Sequence, residues 1–229
     1  MSEHDRIYRE LATRYDDMIG RQPDLASCIR EIRPWNGLDV LDLGAGSGRL
    51  SSFLAAEAGS LICTDKSEAM LELLDRKLSS LYSTRNWRTV EADHRSLPLT
   101  DCSVDLVVAG WTIGYLANSD EPDWANNLER IMGELHRVLK PGGSIMILET
   151  MGTGCETPQP PAFLTGYYSM LEQRYGFSHR WIRTDYDFSS VEEARARTEF
   201  FFGESLASLI EEKQWRVVPE CAGIWWKHS

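Results

Sequence analysis

The 229-residue sequence predicts an α/β fold, with a mostly parallel sheet carrying helices on both faces. Three observations predict it. Short apolar runs alternate with stretches of helical period along residues 38–149, the pattern of repeated strand–helix–strand units. The second, fourth and fifth of those runs are too short and apolar to have a solvent face, as expected of strands covered on both sides. The segment Val40-Leu41-Asp42-Leu43-Gly44-Ala45-Gly46-Ser47-Gly48-Arg49-Leu50 then joins an apolar run to a helix-competent one through three alternate glycines. Glycine lacks the Cβ that would hold other atoms away from such a turn.

The elements follow in order. Ile7, Tyr8, Leu11, Tyr15, Met18 and Ile19 recur at helical spacing and predict an amphipathic helix over 5–20. A second helical piece over 24–32 stops before Pro34. Strands are then expected at 38–43, 61–64, 87–92, 106–109 and 144–149. Helices are expected at 48–58, at 67–81 with Ser67 as N-cap, and at 129–139. Lys140-Pro141-Gly142-Gly143 closes the last of these, since neither proline nor glycine continues a helix. From 151 to about 202 the alternation fails: a Gly/Pro loop precedes Phe163, Tyr167, Tyr168, Tyr175, Phe177 and Trp181, and Ile182, Thr184, Tyr186 and Phe188 alternate as in an extra strand. Residues 191–212 read as helix with a kink at Gly203, and 217–218 and 223–226 as two closing strands. One domain is expected: N-terminal helices (1–36), a ligand-binding core (37–150), a cap insertion over the sheet's carboxyl edge (151–202) and a C-terminal helix with strands (203–229).

Bulk properties narrow the function. A net charge of −11 argues against a surface built for phosphate backbones or anionic membranes, so a small-molecule partner is expected rather than a nucleic acid. No apolar run approaches the roughly 20 residues that span a bilayer, and the polar start does not resemble a secretory signal. Five scattered cysteines show no metal-ligand spacing, so neither zinc nor a disulfide framework is expected and a cytoplasmic location is.

The chemistry-bearing residues fall at successive strand ends, where open α/β sheets bind ligands. The third glycine comes two residues after the second, so Arg49 breaks the dinucleotide fingerprint G-x-G-x-x-G. Asp65 ends the second strand, where a carboxylate can accept hydrogen bonds from both hydroxyls of a ribose; the alternative is a helix-start acid ahead of Ser67. Glu91-Ala92-Asp93-His94-Arg95-Ser96-Leu97-Pro98 follows the third strand, with a turn-forming role the alternative for Asp93. Gly110 follows the fourth, with Trp111 and Tyr115 either lining a pocket or filling core. Leu135 to Gly143 is a structural helix-turn.

With these stations in order, the chain resembles a bacterial-type class I S-adenosylmethionine (SAM)-dependent methyltransferase, similar to the group containing the quinone-biosynthesis and small-molecule enzymes. The resemblance is specific over 38–149 and looser at Tyr15-Asp16-Asp17 and 200–204. It implies a Rossmann-like seven-stranded sheet whose last strand inserts antiparallel beside the sixth. It implies that Gly44, Ala45 and Gly46 lie along the methionyl and ribose portions of SAM, that Asp65 and Lys66 border the ribose, and that Asp93 and His94 meet the adenine. Gly110 would face the amino group, Tyr15 would contact the cofactor or else be a core aromatic of its amphipathic helix, and Trp111 and Tyr115 would face the methyl acceptor. The expected reaction is methyl transfer to an O, N or C nucleophile, releasing S-adenosylhomocysteine (SAH), without a metal. His94, His179, Glu149, Tyr115, Tyr167 and Tyr168 are unranked candidates for a general base, and no catalytic residue is assigned. The aromatics of 151–202 either contact an apolar acceptor or form the cap's own core. A non-catalytic SAM-binding regulator and a nicotinamide-dependent oxidoreductase are the alternatives.

Overall fold

A computed structural model of the chain describes residues 11–229, so the Asp5–Glu10 part of the expected first helix lies outside the described residues. The chain runs α1 (Ala12–Ile19), α2 (Ala26–Ile32), β1 (Asp39–Leu43), α3 (Ser51–Glu57), β2 (Ser60–Asp65), α4 (Glu68–Leu81), β3 (Trp87–Glu91), β4 (Val104–Gly110), α5 (Gly114–Ala117) and α6 (Trp124–Val138). It continues through β5 (Leu139–Thr153), α7 (Ala162–Gln173), β6 (Ser178–Arg183), β7 (Tyr186–Asp187), α8 (Val191–Phe202), α9 (Glu204–Lys213), β8 (Val217–Val218) and β9 (Glu220–His228). Seven strands form one sheet in the order β3-β2-β1-β4-β5-β9-β6. β9 alone runs against its neighbours, inserted antiparallel between β5 and β6 as the resemblance implies. The fold is the Rossmann-like seven-stranded α/β sheet.

Side-chain alternation on the inner strands sorts apolar residues to two faces. One face packs Val107, Ala109, Ile145, Ile147 and Trp225 against α6 and α7. The other packs Val40, Cys63, Val108, Leu148 and Ile224 against α2, α3 and α4. At the amino edge, Lys140 Nζ reaches both Asp39 Oδ2 (2.6 Å) and Asp105 Oδ2 (3.0 Å), and Asp105 Oδ2 also accepts the Asp39 N–H (2.9 Å), tying β1, β4 and β5 together.

The structure bounds the cap differently from the expected 151–202. Leu164, Tyr167, Tyr168 and Leu171 place α7 on the main core, and β6 is the sheet's edge strand. The separate layer is built from α1 and residues 184–219, whose core is Met18, Ile19, Tyr186, Phe188, Ala194, Leu206, Ile210 and Val218. The chain leaves the sheet at the carboxyl end of β6 and returns at Glu220, the first residue of an antiparallel strand, so this layer stands at the carboxyl edge. The expected kink at Gly203 is a full break between α8 and α9, made at φ 80° and ψ 179°, a conformation that a side chain would disfavour.

Trp225 holds β9 to this frame: it is fully buried, stacked on Tyr168 (4.5 Å) and His179 (4.4 Å), with its Nε1–H donated to Glu172 (3.0 Å). Trp225→Ala is expected to cost about 3–5 kcal/mol of stability, the range for a large aromatic removed from a closed core. Urea titration checks this; a loss below about 1 kcal/mol would mean that the insertion of β9 does not depend on this packing.

Candidate active site

The glycine turn after β1 is held from below, from the side and from above. Below it lies Asp42, 1% exposed, whose Oδ2 accepts the Ser51 hydroxyl (2.5 Å) at the start of α3. Burial pushes this carboxyl up to about 7, against the opposing pull of the Ser51 hydroxyl and backbone N–H. Asp42 thereby joins the end of the strand to the start of the helix and bends the chain between them. From the side, β2 supplies the Thr64 carbonyl to the Ala45 N–H (2.8 Å) and Asp65 Oδ2 to the Gly46 N–H (3.0 Å). From above comes the loop after β4: a Cβ at Gly44 would stand 1.9 Å from Thr112 Oγ1.

The glycines therefore serve different ends. All three have left-handed φ (68°, 54° and 92°), which favours glycine. Gly44 also makes room for Thr112, and a Cβ at Gly48 would press on Leu74 of α4 at 3.2 Å. At Gly46 nothing lies within 4 Å of a Cβ position. Gly46 is thus the place where this turn presents bare backbone to open space.

Asp65 stands beside that opening. Its Oδ2 takes the Gly46 N–H and its Oδ1 the Ser67 N–H (2.9 Å), which aims the carboxylate across the turn and leaves each oxygen a second lone pair. Desolvation raises its pKa, opposed by those two N–H groups. Lys66 beside it is exposed.

At the next strand end, Asp93 is exposed and gripped by Arg95 through Nε–Oδ1 (2.9 Å) and Nη2–Oδ2 (2.6 Å). That hydrogen-bonded arginine lowers its pKa to about 2, so the group remains an acceptor at any physiological pH. Arg137 of α6 pins the following loop by donating to the Leu97 (2.9 Å) and Leu99 (2.7 Å) carbonyls, a concrete task for the segment read as structural. His94 is 8% exposed, and desolvation lowers its pKa to about 4, so the imidazole is neutral at pH 7. Its Nε2 shares a hydrogen bond with Thr112 Oγ1 (2.8 Å), and its Nδ1 is buried without a partner.

At the end of β4, Gly110 is packed on Leu50, and just beyond it Trp111 adopts φ 52° with its ring under the Arg49 guanidinium at 3.5 Å. Glu149, at the carboxyl end of β5, organises this loop. It is 4% exposed, and its Oε1 accepts the Gly114 N–H (2.9 Å) and faces the Tyr167 hydroxyl (3.5 Å). Burial raises its pKa to about 7, countered by the N–H groups of Gly114, Ile113 and Thr112 and by Tyr167. Tyr15 packs on Phe201 (5.2 Å), which places it in the cap, and Tyr115 is exposed.

The turn, Asp65, Gly110 and Trp111 thus converge on one patch, and His94 joins it through Thr112. Several base candidates are engaged elsewhere. His179 is stacked on Trp225 at the far edge of the sheet, Tyr168 donates to the Thr150 carbonyl (2.7 Å), and Tyr167 and Glu149 bind each other and the loop. Tyr167, Tyr168 and Phe177 belong to the main core, while Phe163 and Trp181 are exposed. Sequence reasoning missed Thr112, the structural work of Asp42 and Glu149, and the half-buried setting of Arg49 over Trp111. For Arg49 a signal existed, a charge set among apolar residues at a helix start. A cleft of about 310 Å³ lies between residues 16–25, Arg49, Ser52, Phe53 and Lys77, and none of the three turn glycines lines it.

Comparison with known proteins points to methyltransferases. A family described as a methyltransferase domain matches residues 41–147. The chain is 30% identical over 178 residues to the demethylmenaquinone methyltransferase of Lactobacillus johnsonii, covering 74% of this chain and 67% of that protein. It is 38% identical over 139 residues to the demethylmenaquinone methyltransferase of Clavibacter sepedonicus (60% and 49%). It is 33% identical over 114 residues to phosphoethanolamine N-methyltransferase 1 of Triticum aestivum (50% and 22%). The chain thus spans only 22% and 49% of the last two proteins' lengths. Among solved structures, a SAM-dependent methyltransferase from Aquifex aeolicus shares the fold at 19% identity, with a TM-score of 0.58 over 88% of both chains. So does the Haemonchus contortus phosphoethanolamine N-methyltransferase 1 in complex with phosphoethanolamine and SAH, at 18% identity and a TM-score of 0.53 over 91% of this chain and 43% of that one.

Two outcomes are expected of the site as a folded object. Gly44→Ala should destabilise the protein by more than about 2 kcal/mol, since it adds a clash with Thr112 to a strained φ; thermal unfolding checks this. Glu149 binds its proton more tightly folded than unfolded, so its contribution to stability is full below its unfolded pKa and is lost as pH rises through about 7. Chemical denaturation should therefore show Glu149→Gln gaining on the wild type between pH 5 and pH 8. A constant difference across that range would place the proton elsewhere.

Proposed function

The chain belongs to the class I SAM-dependent methyltransferases, and from that premise we propose that it transfers a methyl group from SAM to an O, N or C nucleophile of a small molecule. The observation that carries this reading is the open face of Gly46 beside the doubly braced carboxylate of Asp65, at the carboxyl ends of adjacent strands. When bound, SAM supplies an electrophilic methyl on a sulfonium, which needs a nucleophile held in line and water kept away.

The chain's own groups would divide that work. Asp65 accepts from the ribose hydroxyls with the lone pairs that Gly46 and Ser67 leave open. Gly44, Ala45 and Gly46 supply backbone to the methionyl and ribose portions, and Gly110 faces the amino group. Asp93 accepts from the adenine amino group, and the His94 N–H meets the ring. Lys66 borders the ribose, and Tyr15 approaches from the cap. Trp111 and Tyr115 stand on the acceptor side. Desolvation lowers the His94 pKa to about 4, which leaves its imidazole neutral at pH 7 but a weak proton acceptor, so no general base is assigned.

Calorimetric titration tests the cofactor assignment. Asp65→Ala should weaken SAM and SAH binding at least tenfold, the loss expected from one or two charge-assisted hydrogen bonds. Gly46→Ala should lower SAH affinity at a smaller loss of stability than Gly44→Ala, since its φ of 54° strains a side chain but no atom stands in the way of one. Unchanged affinity in a folded Asp65→Ala protein would overturn the ribose role, and tight NAD binding in place of SAH would overturn the cofactor.

A further inference from the structure

The His94 imidazole is buried, and among the described residues its side-chain hydrogen-bond partner is Thr112 Oγ1, at 2.8 Å from Nε2. So deep a ring has little water to turn to, and the bond fixes where both groups lie. Thr112 is held at two further points. Its N–H is among the backbone groups that Glu149 takes, and its side chain fills the space a Cβ at Gly44 would need. Of its atoms, Oγ1 stands nearest that position (1.9 Å) and Cγ2 farther off (2.7 Å). A threonine side chain has a choice of staggered settings, and the bond to His94 selects this one. The holding points come from three strand ends: His94 follows β3, Glu149 lies on β5, and Gly44 follows β1.

The residue before Thr112 shows what is being held. Trp111 keeps φ 52°, a backbone region that a bulky side chain leaves unless its surroundings keep it there. Its N–H donates to the Leu148 carbonyl (2.7 Å), and Thr112 anchors the chain directly after it. Gly110 stands directly before it. The anchored loop therefore fixes Gly110, which would face the amino group of SAM, relative to Gly44, which would lie along its methionyl portion.

We propose that His94 and Thr112 are positioning residues for the amino-acid end of the cofactor: the imidazole fixes the Thr112 hydroxyl, and Thr112 sets the spacing of Gly44 and Gly110 that receives that end. This rests on the methyltransferase reading and adds to it two side chains that act through the turn and the loop.

The test is calorimetric titration of the full chain with SAH and with methylthioadenosine, which keeps the adenosine and the sulfur but lacks the amino-acid end. Wild-type binding of SAH comes first. Its absence would overturn the methyltransferase reading and this role with it, whereas a wild type that binds lets the variants judge the role alone. Thr112→Val keeps the shape and loses the hydroxyl; it should weaken SAH about three- to tenfold, the loss expected from one hydrogen bond, and methylthioadenosine less than about twofold. Thr112→Ser keeps the hydroxyl and should bind SAH within about twofold of wild type. His94→Ala should match Thr112→Val, and the two combined should be no weaker than either alone, since the same bond is lost each time. His94→Gln, whose amide nitrogen can reach the place of Nε2, should recover most of the loss. Thermal unfolding of each free variant is read alongside. A lower Tm with unchanged SAH affinity would make the pair part of the fold only. Equal losses of SAH and methylthioadenosine in Thr112→Val would move the effect to the adenosine end. Losses that multiply in the double variant would show two residues acting separately. Any of these three results overturns the proposal.

Discussion

The carboxyl edge of this molecule depends on how closely the loop after β4 approaches the turn after β1. Thr112 occupies the volume that any side chain at position 44 would need. That contact obliges Gly44 to be glycine for a steric reason, separate from its left-handed φ. It also brings the His94 imidazole, bonded to the same hydroxyl, against the turn. Glu149 keeps the loop in place by taking backbone N–H groups at the start of α5, and Asp42 keeps the turn in place by taking the Ser51 hydroxyl. The open backbone of Gly46 and the aim of Asp65 follow from these restraints.

Three carboxylates along this edge share a raised pKa of about 7 and differ in how their burial is compensated. Asp42 has a hydroxyl and a backbone N–H; Glu149 has several N–H groups and a phenol. Each stabilises a bend in the chain, so its desolvation is offset by the loop it organises. Glu220 takes the Thr150 hydroxyl on Oε1 and is also favoured by Thr153, while its Oε2 has no hydrogen-bond partner among the described residues. The same burial thus acts on two acids that organise loops and on one that joins the start of β9 to β5.

Much of the fold was legible in residue order. The parallel strands, the N-cap at Ser67 and the closing of α6 before Pro141 follow from local period, capping chemistry and backbone restriction, all of which act within a few residues. Element ends moved by a few residues, α5 and α7 were missed, and the extra strand read over 182–188 takes in only the end of β6 together with β7. β6 is an edge strand with mixed burial and lacks the apolar run that marks an inner strand. α5 is four residues long and exists because Glu149, 35 residues away, caps it.

The sequence by itself determined the α/β class, the strand-to-helix glycine turn and the acids at the ends of the second and third strands. These are written in periodicity, in spacing and in the need for glycine at positive φ. Only the tertiary structure decided which glycine faces open space, that the aromatics of 162–177 are core, and that the cap is α1 with residues 184–219. It alone set the Arg49 guanidinium over the Trp111 ring. The reason is that burial and partnership are properties of chain segments meeting in space. Residue type states what a side chain can bond to, and the fold decides what is left for it to bond.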